Sequence, residues 1–169
     1  EWANGDRVEL TLPMSLSMRT WQVNKNSVSV DYGPLTLSLK IAEKYVEKDS
    51  RETAIGDSKW QKGADPQKWP TTEIYPDSPW NYSLVLDKKE PLKNFKVIRK
   101  SWPADNYPFT ATSVPLEVKA IGRPVPEWKI DETGLCGVLP EEDAMKGDKE
   151  EITLIPMGAA RLRISAFPN

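Results

Sequence analysis

The sequence predicts an all-β protein, an antiparallel β-sandwich of jelly-roll type with little helix. Apolar residues recur at every second position in several short runs, which is the period of a half-buried strand. The 15 prolines are spread along the chain and disfavour long helices. A chain of 169 residues that is 38% hydrophobic is large enough to bury a core. We therefore expect a single domain over residues 1–169.

The predicted strands are short and separated by turn residues. Pro13 ends the first strand because it has no N–H to donate to a ladder. Gly33-Pro34 marks a turn, and Pro156 and Gly158 connect the last two strands as a hairpin. We place the strands at residues 8–12, 27–31, 35–41, 80–86, 94–99, 115–121, 152–154 and 161–166.

Signals for helix are weak, and one long stretch has no clear period. A single helical turn is predicted over 140–145, where a proline precedes acidic residues. Residues 48–79 are predicted to form a long, ordered loop. The embedded Trp60, Trp69 and Tyr75 favour a packed loop over a disordered one.

The absence of histidine excludes several kinds of site. With no His in the chain, there is no His general base, no Ser-His-Asp or Cys-His arrangement and no His-ligated metal. Cys136 is the single cysteine, and its apolar neighbours predict a small buried side chain rather than a nucleophile. We therefore assign no catalytic residue, no metal and no cofactor.

Charge and hydropathy give no support for nucleic acid or membrane as a partner. The formal net charge is −2, and the basic run over 88–100 is short. No stretch approaches the roughly 18 consecutive apolar residues of a membrane-spanning helix. The acidic residues over 141–151 lack the spacing of an EF-hand and are expected to form a solvated loop.

Aromatic residues between positions 60 and 107 are the main candidates for ligand binding. Flat rings stack on the C–H faces of sugars, while nearby amide and carboxylate groups bond to sugar hydroxyls. The same rings also fill sandwich cores or pin loops through their N–H and O–H groups, and their spacing leaves both interpretations open. The candidate carbohydrate-binding residues are Trp60, Trp69, Tyr75, Trp80 and Asn81.

Segments from both ends of the chain resemble one enzyme family. Residues 2–14 resemble the W-x-x-G-D-x-V-x-L-x-L-P-M stretch of β-L-arabinofuranosidase-like glycoside hydrolases, the family 127 group and its relatives. Residues 32–35 resemble the (Y/R)-G-P-L strand opening of that group, and residues 151–164 its closing L-I-P-(Y/M)-G…L-R-(I/V) strand pair. Residues 76–82 resemble a segment of some bacterial members.

The resemblance implies that the chain is the β-sandwich region after the catalytic six-hairpin α-barrel of a larger enzyme. Family members use a Cys nucleophile and a zinc ion held by Cys and Glu, all in that barrel. Those motifs do not occur here, and Cys136 matches no catalytic position, so no active-site residue is carried over. We expect a fragment whose partner is the barrel, in an extracytoplasmic location. We also expect an exposed edge near residues 7–12, or pairing there with another chain.

Three functions are in competition. The first is a non-catalytic accessory domain that packs on the barrel and orients it. The second is a carbohydrate-binding module that binds a glycan through Trp60, Trp69 or Trp80. The third, ranked well behind, is a self-sufficient hydrolase that uses a pair of acids.

Overall fold

A computed structural model describes residues 3–49, 65, 67–141 and 147–169. In those residues it has antiparallel strands and, as its only helical elements, 3₁₀ turns at Gln22–Asn24 and Met157–Ala159. The predicted all-β antiparallel class is therefore confirmed. The strands are β1 (Leu16–Trp21), β2 (Ser27–Tyr32), β3 (Leu35–Leu39), β4 (Glu43–Lys48), β5 (Thr71–Pro76), β6 (Tyr82–Leu84), β7 (Lys96–Arg99), β8 (Leu116–Pro124) and β9 (Glu150–Pro156).

Seven of these strands form one sheet that curls into a half-barrel. The strand order is β1-β2-β3-β9-β8-β6, and β7 also pairs with β8. β4 and β5 form a separate two-stranded sheet, in register from Glu43 opposite Pro76 to Lys48 opposite Thr71. The jelly-roll arrangement stays a prediction. No helix in the described parts of the chain is long and apolar enough to cross a membrane.

Strand β2 is buried on both faces, although its sequence predicts a half-buried strand. Val28 and Val30 point into the main core, as the alternation predicts. The polar face is buried as well, and its groups are hydrogen-bonded. Ser29 Oγ accepts from Trp21 Nε1 at 2.8 Å and donates to the Ser165 carbonyl at 2.6 Å. Arg19 holds Asp31 through two nitrogens at 2.6 and 3.0 Å. Small polar side chains thus let other segments pack closely on this strand.

The predicted closing hairpin of 152–154 with 161–166 is wrong. β9 already has β3 on one edge and β8 on the other, so neither edge is open to a hairpin partner. The segment after β9 instead enters the gap where β2 and β3 diverge beyond their turn. There Phe167 and Val28 exchange backbone hydrogen bonds of 2.8 and 2.9 Å, and Leu39 N donates to the Ile164 carbonyl at 2.8 Å. The Pro168 carbonyl accepts from Leu84 N at 3.0 Å, which ties β6 to the same segment.

The predicted strand at 8–12 is also wrong. This part of the chain has no strand partner among the described residues, and β1 occupies the sheet edge beside β2 instead. The expected exposure is present, since Val8, Leu10 and Leu12 are 70, 76 and 70% exposed. Pro13 separates this stretch from β1 and so prevents one continuous edge strand.

Three strands lie where the sequence predicts none. They are β1, β4 and β5, and β5 interrupts the loop predicted over 48–79. The central part of that loop, with Trp60, lies outside the described residues, as does most of the helical turn predicted over 140–145. The other predicted strands correspond to β2, β3, β6, β7, β8 and β9.

The turn between β2 and β3 favours glycine mainly because of its positive φ. Gly33 has φ = +56°, which side chains disfavour. A Cβ at this position would also lie 2.4 Å from Met14 Sδ. Gly33 N donates to the Ser15 carbonyl at 2.9 Å, and Met14 packs against the core. The turn therefore holds Met14 and Ser15 against the sheet.

Glu117 on β8 is a nearly buried carboxylate with two lysine partners. Its Oε1 lies 2.7 Å from Lys40 Nζ and 2.6 Å from Lys100 Nζ. Burial by itself raises the pKa of Glu117, but the hydrogen bonds from Lys100 and Lys40 together outweigh it. The pKa of Glu117 therefore lies below its ordinary value. This ion cluster connects the end of β3 to β7 and β8.

Phe167→Ala is expected to destabilise the fold by about 3–5 kcal/mol, because the removed ring is fully buried and leaves a cavity. Phe109→Ala is the matched control, since that ring is exposed; its expected cost is below about 1 kcal/mol. Urea unfolding followed by tryptophan fluorescence measures both. Equal losses in the two variants would contradict the role assigned to the C-terminal segment.

The stability that depends on Glu117 is expected to vanish in acid. Because its folded-state pKa is below the unfolded-state value, its contribution is complete above the unfolded-state pKa and is lost as the pH falls through the folded-state pKa. At about pH 7 the unfolding free energy of wild type is therefore expected to be larger than that of Glu117→Gln. This difference is expected to become smaller below about pH 4. Urea titrations at several pH values measure this. A difference that does not change with pH would refute the assignment.

Candidate functional site

A cleft of about 790 Å³ lies between the two-stranded sheet and the C-terminal segment. Its walls come from β5, from a small hairpin at residues 130–136 and from residues 161–164. Trp80 and Ile41 also line it. The cleft therefore brings together aromatic, acidic and basic side chains from distant parts of the sequence.

Tyr75 presents an aromatic ring to this cleft. The side chain is 44% exposed. Its Oη donates a hydrogen bond to Glu73 Oε2, two residues earlier on the same face of β5. That hydrogen bond, with some burial, raises the pKa of Tyr75 above its ordinary value. The bond orients the phenol and leaves the ring available for stacking.

Trp80 connects the cleft to the core. Its ring is half-buried and meets the buried Trp128 edge-on, with ring centroids 5.2 Å apart and planes at 62°. Trp128 is itself held by a hydrogen bond from Nε1 to the Gly137 carbonyl at 2.9 Å. The position of Trp80 is therefore fixed by packing, and only part of its surface faces the cleft.

The hairpin at 130–136 is ordered by one carboxylate. Asp131 Oδ1 accepts from the Thr133 hydroxyl at 2.6 Å, from Thr133 N at 2.8 Å and from Leu135 N at 3.0 Å. The hydroxyl bond, followed by the Leu135 amide bond, holds the pKa of Asp131 below its ordinary value. Gly134 adopts φ = +81° in this turn. The hairpin thus supplies a pre-formed wall whose acidic group remains ionised.

Arg161 and Arg163 supply the positive charge. Both are exposed and alternate with Leu162 and Ile164, which pack inward. Arg163 Nε donates to the Ala160 carbonyl at 2.8 Å, and the Arg161 guanidinium lies 5.8 Å from the centre of the Tyr45 ring. Within the described residues, neither guanidinium forms an ion pair with a carboxylate.

A second cleft of about 660 Å³ lies on the other side of Arg161. Glu43 and Tyr45 line it and form the same carboxylate–phenol pair as Glu73 and Tyr75, on the opposite face of the two-stranded sheet. The hydrogen bond to Glu43 raises the pKa of Tyr45. Arg161 and Ile41 line both clefts, so the C-terminal segment separates them.

The predicted carbohydrate-binding residues have different locations. Tyr75 and Trp80 line the larger cleft. Trp69 is exposed before β5 and does not line it. Asn81 Nδ2 donates to the carbonyls of Val125 and Trp128, at 2.9 and 3.2 Å, and so supports the turn after β8. Trp60 lies outside the described residues.

The predicted burial of Cys136 is wrong. Its side chain is exposed and lines the larger cleft, opposite Ile130 in the hairpin. The apolar neighbours that favoured burial are themselves exposed, notably Leu135 and Val138. The strands of this hairpin are too short to bury one face.

Sequence reasoning missed the two arginines as site residues. The alternation of Arg161 and Arg163 with Leu162 and Ile164 predicts a strand with both arginines on one side. The alternation does not indicate which surface of the protein that side faces. The hairpin wall was missed for the same reason, because its position depends on long-range packing.

Among the residues described, no group of three or more Cys, Asp or Glu side chains is arranged to hold a metal ion. Comparison with protein-family models, with curated proteins and with solved structures found no match.

Proposed function

We propose that this chain is a non-catalytic accessory β-domain of an arabinofuranosidase-like glycoside hydrolase, and that it packs on the catalytic barrel through residues 7–12. The observation that carries the proposal is the exposure of Val8, Leu10 and Leu12, which we call the apolar strip. These side chains alternate with polar ones, as in a strand that buries one apolar face.

The backbone of the same segment is also available for pairing. Within the described residues, no backbone hydrogen bond involves positions 7–12. An extended segment with free N–H and C=O groups adds readily to the edge of another structure, and alternate side chains then enter pockets of the partner. Full burial of three aliphatic side chains contributes on the order of 5 kcal/mol. This is enough to hold two covalently linked domains together.

The sequence resemblance supports the same segment. Residues 2–14 contain the apolar strip and resemble the stretch that opens the β-sandwich region of that enzyme group. The closing residues 151–164 resemble the end of the same region. A role in packing on the barrel therefore agrees with the location of the strip.

Replacing the apolar strip, with Val8→Ser, Leu10→Ser and Leu12→Ser combined, is expected to weaken binding to the helical barrel of the parent enzyme by at least about 100-fold. The barrel is prepared as a separate polypeptide, and calorimetry measures affinity. Hydrogen exchange is expected to show protection of the amides at 7–12 only in the complex. The unfolding free energy of the isolated chain is expected to change by less than about 1 kcal/mol, because the three side chains are exposed.

Val23→Ser is the matched control for the strip variant. Val23 is a fully exposed valine outside the strip, and its replacement is expected to leave barrel binding unchanged. The proposal fails if the wild-type chain does not bind the barrel, or if the triple variant binds as tightly as wild type.

The larger cleft favours carbohydrate binding as a second function. Tyr75 offers an exposed ring beside carboxylate and guanidinium groups, which is the combination of stacking and polar groups that sugars require. This function is compatible with the first, since the apolar strip and the cleft share no residue.

Tyr75→Ala is expected to weaken binding of an arabinose-containing oligosaccharide at least about tenfold, because the stacking surface is lost. Titration calorimetry measures the affinity. Tyr107→Ala is the control, since Tyr107 is similarly exposed, at 52% against 44% for Tyr75, but does not line the cleft. Absence of binding by wild type, or equal binding by both variants, would reject this second function.

A further inference from the structure

One end of the curled sheet carries both the apolar strip and the loop between β7 and β8. β1 begins at this end, because Leu16 is opposite Tyr32, and β2 and β3 meet there in the turn at Gly33. β7 ends there as well, since the Arg99 guanidinium donates a hydrogen bond to the Tyr32 hydroxyl and lies 5.8 Å from the centre of its ring. The strip and the loop at residues 100–115 therefore leave the sheet at the same end.

The loop at residues 100–115 exposes its largest apolar side chains. Trp102, Tyr107 and Phe109, which we call the aromatic patch, are 61, 52 and 59% exposed. A smaller side chain anchors the loop instead, because Val114 is buried in a small core with Ile155 of β9. Large apolar groups grouped on the surface of a folded chain are typical of a site that binds another molecule.

The aromatic patch is ordered by contacts within its own loop. Trp102 Nε1 donates to Asn106 Oδ1 at 2.6 Å, and the Ser113 hydroxyl donates to the Tyr107 carbonyl at 2.7 Å. The rings of Tyr107 and Phe109 meet edge-on, with centroids 5.4 Å apart and planes at 76°. Side chains that are ordered before binding lose little conformational entropy when a partner covers them. The patch is therefore pre-organised for association.

The aromatic patch enlarges an interface that the apolar strip alone would leave small. The three aliphatic side chains of the strip offer roughly 250 Å², so the strip and its partner together bury about 500 Å². Interfaces between domains of one chain bury about 600–1,500 Å². The three rings add roughly 300 Å² on this side, which raises the total to about 1,100 Å². The strip and the patch together therefore reach the size of an ordinary interdomain interface.

From these observations we infer that the aromatic patch is a second part of the surface that docks on the catalytic barrel, beside the apolar strip. The inference deepens the first proposed function and rests on it, because it takes the barrel as the partner. The N–H of Trp102 is already satisfied within the loop, so the ring enters an apolar pocket without losing a hydrogen bond. A tyrosine hydroxyl that becomes buried requires a partner, so the barrel surface opposite Tyr107 offers a hydrogen-bond acceptor.

The combined Trp102→Ala and Phe109→Ala variant tests the inference, with calorimetry against the separately prepared barrel. Affinity is expected to fall at least about 100-fold, because a few aromatic anchors dominate the binding energy of an interface. The heat-capacity change of binding is expected to be less negative than for wild type, since less apolar surface is buried. Circular dichroism confirms that the variant is folded.

Trp69→Ala is the matched control, because Trp69 is a similarly exposed tryptophan that precedes β5 and is not part of the loop. It is expected to bind the barrel as wild type does. An equal loss of affinity in this control overturns the inference. A double variant that binds as tightly as wild type, while the strip variant loses affinity, also overturns it and leaves the first proposed function standing. Absence of binding between wild type and the barrel overturns both.

Discussion

The placement of the last residues between β2 and β3 is the constraint that holds the curled sheet together. The two strands pair only next to their turn and then separate, and the diverging backbone groups would be unsatisfied without the C-terminal segment. Phe167 fills the space between them and bonds to β2, while Ile164 bonds to β3 and Pro168 to β6. A single segment thereby connects three strands of the curled sheet. Its removal would expose both the core and a row of unpaired peptide groups.

This constraint also creates the cleft. Because the chain after β9 crosses toward β2 instead of turning back, Arg161 and Arg163 pass beside the two-stranded sheet. β5 then faces the hairpin ordered by Asp131, with the C-terminal segment as their common neighbour. The apolar residues that anchor the segment belong to the core, whereas the intervening arginines belong to the surface. The same segment therefore contributes side chains both to the core and to the lining of the cleft.

Local periodicity was sufficient to predict β2, β3 and the central strands, because their apolar positions face one core. It failed for β4 and β5, which form a small sheet with few buried residues and therefore carry little hydrophobic pattern. It also assigned the C-terminal segment to a hairpin, since alternation does not specify which edge a strand joins. For the larger cleft, Tyr75 and Trp80 were predicted from the sequence because aromatic residues are candidates for ligand binding. The arginines and the exposure of Cys136 depend on contacts between distant segments.

The position of Met14 beside Gly33 limits how far residues 7–12 can extend from the sheet. It fixes the point at which the chain leaves the sheet, so residues 7–12 act as a tether that starts at a defined pivot. At roughly 3.3 Å per residue, this tether spans about 20 Å when extended. Its length limits how far from the turn between β2 and β3 the exposed apolar side chains at positions 8, 10 and 12 can make contacts. A Cβ at position 33 would meet the thioether end of Met14, a flexible side chain that can turn aside, so the bond from the position 33 amide to the Ser15 carbonyl is what keeps the pivot in place.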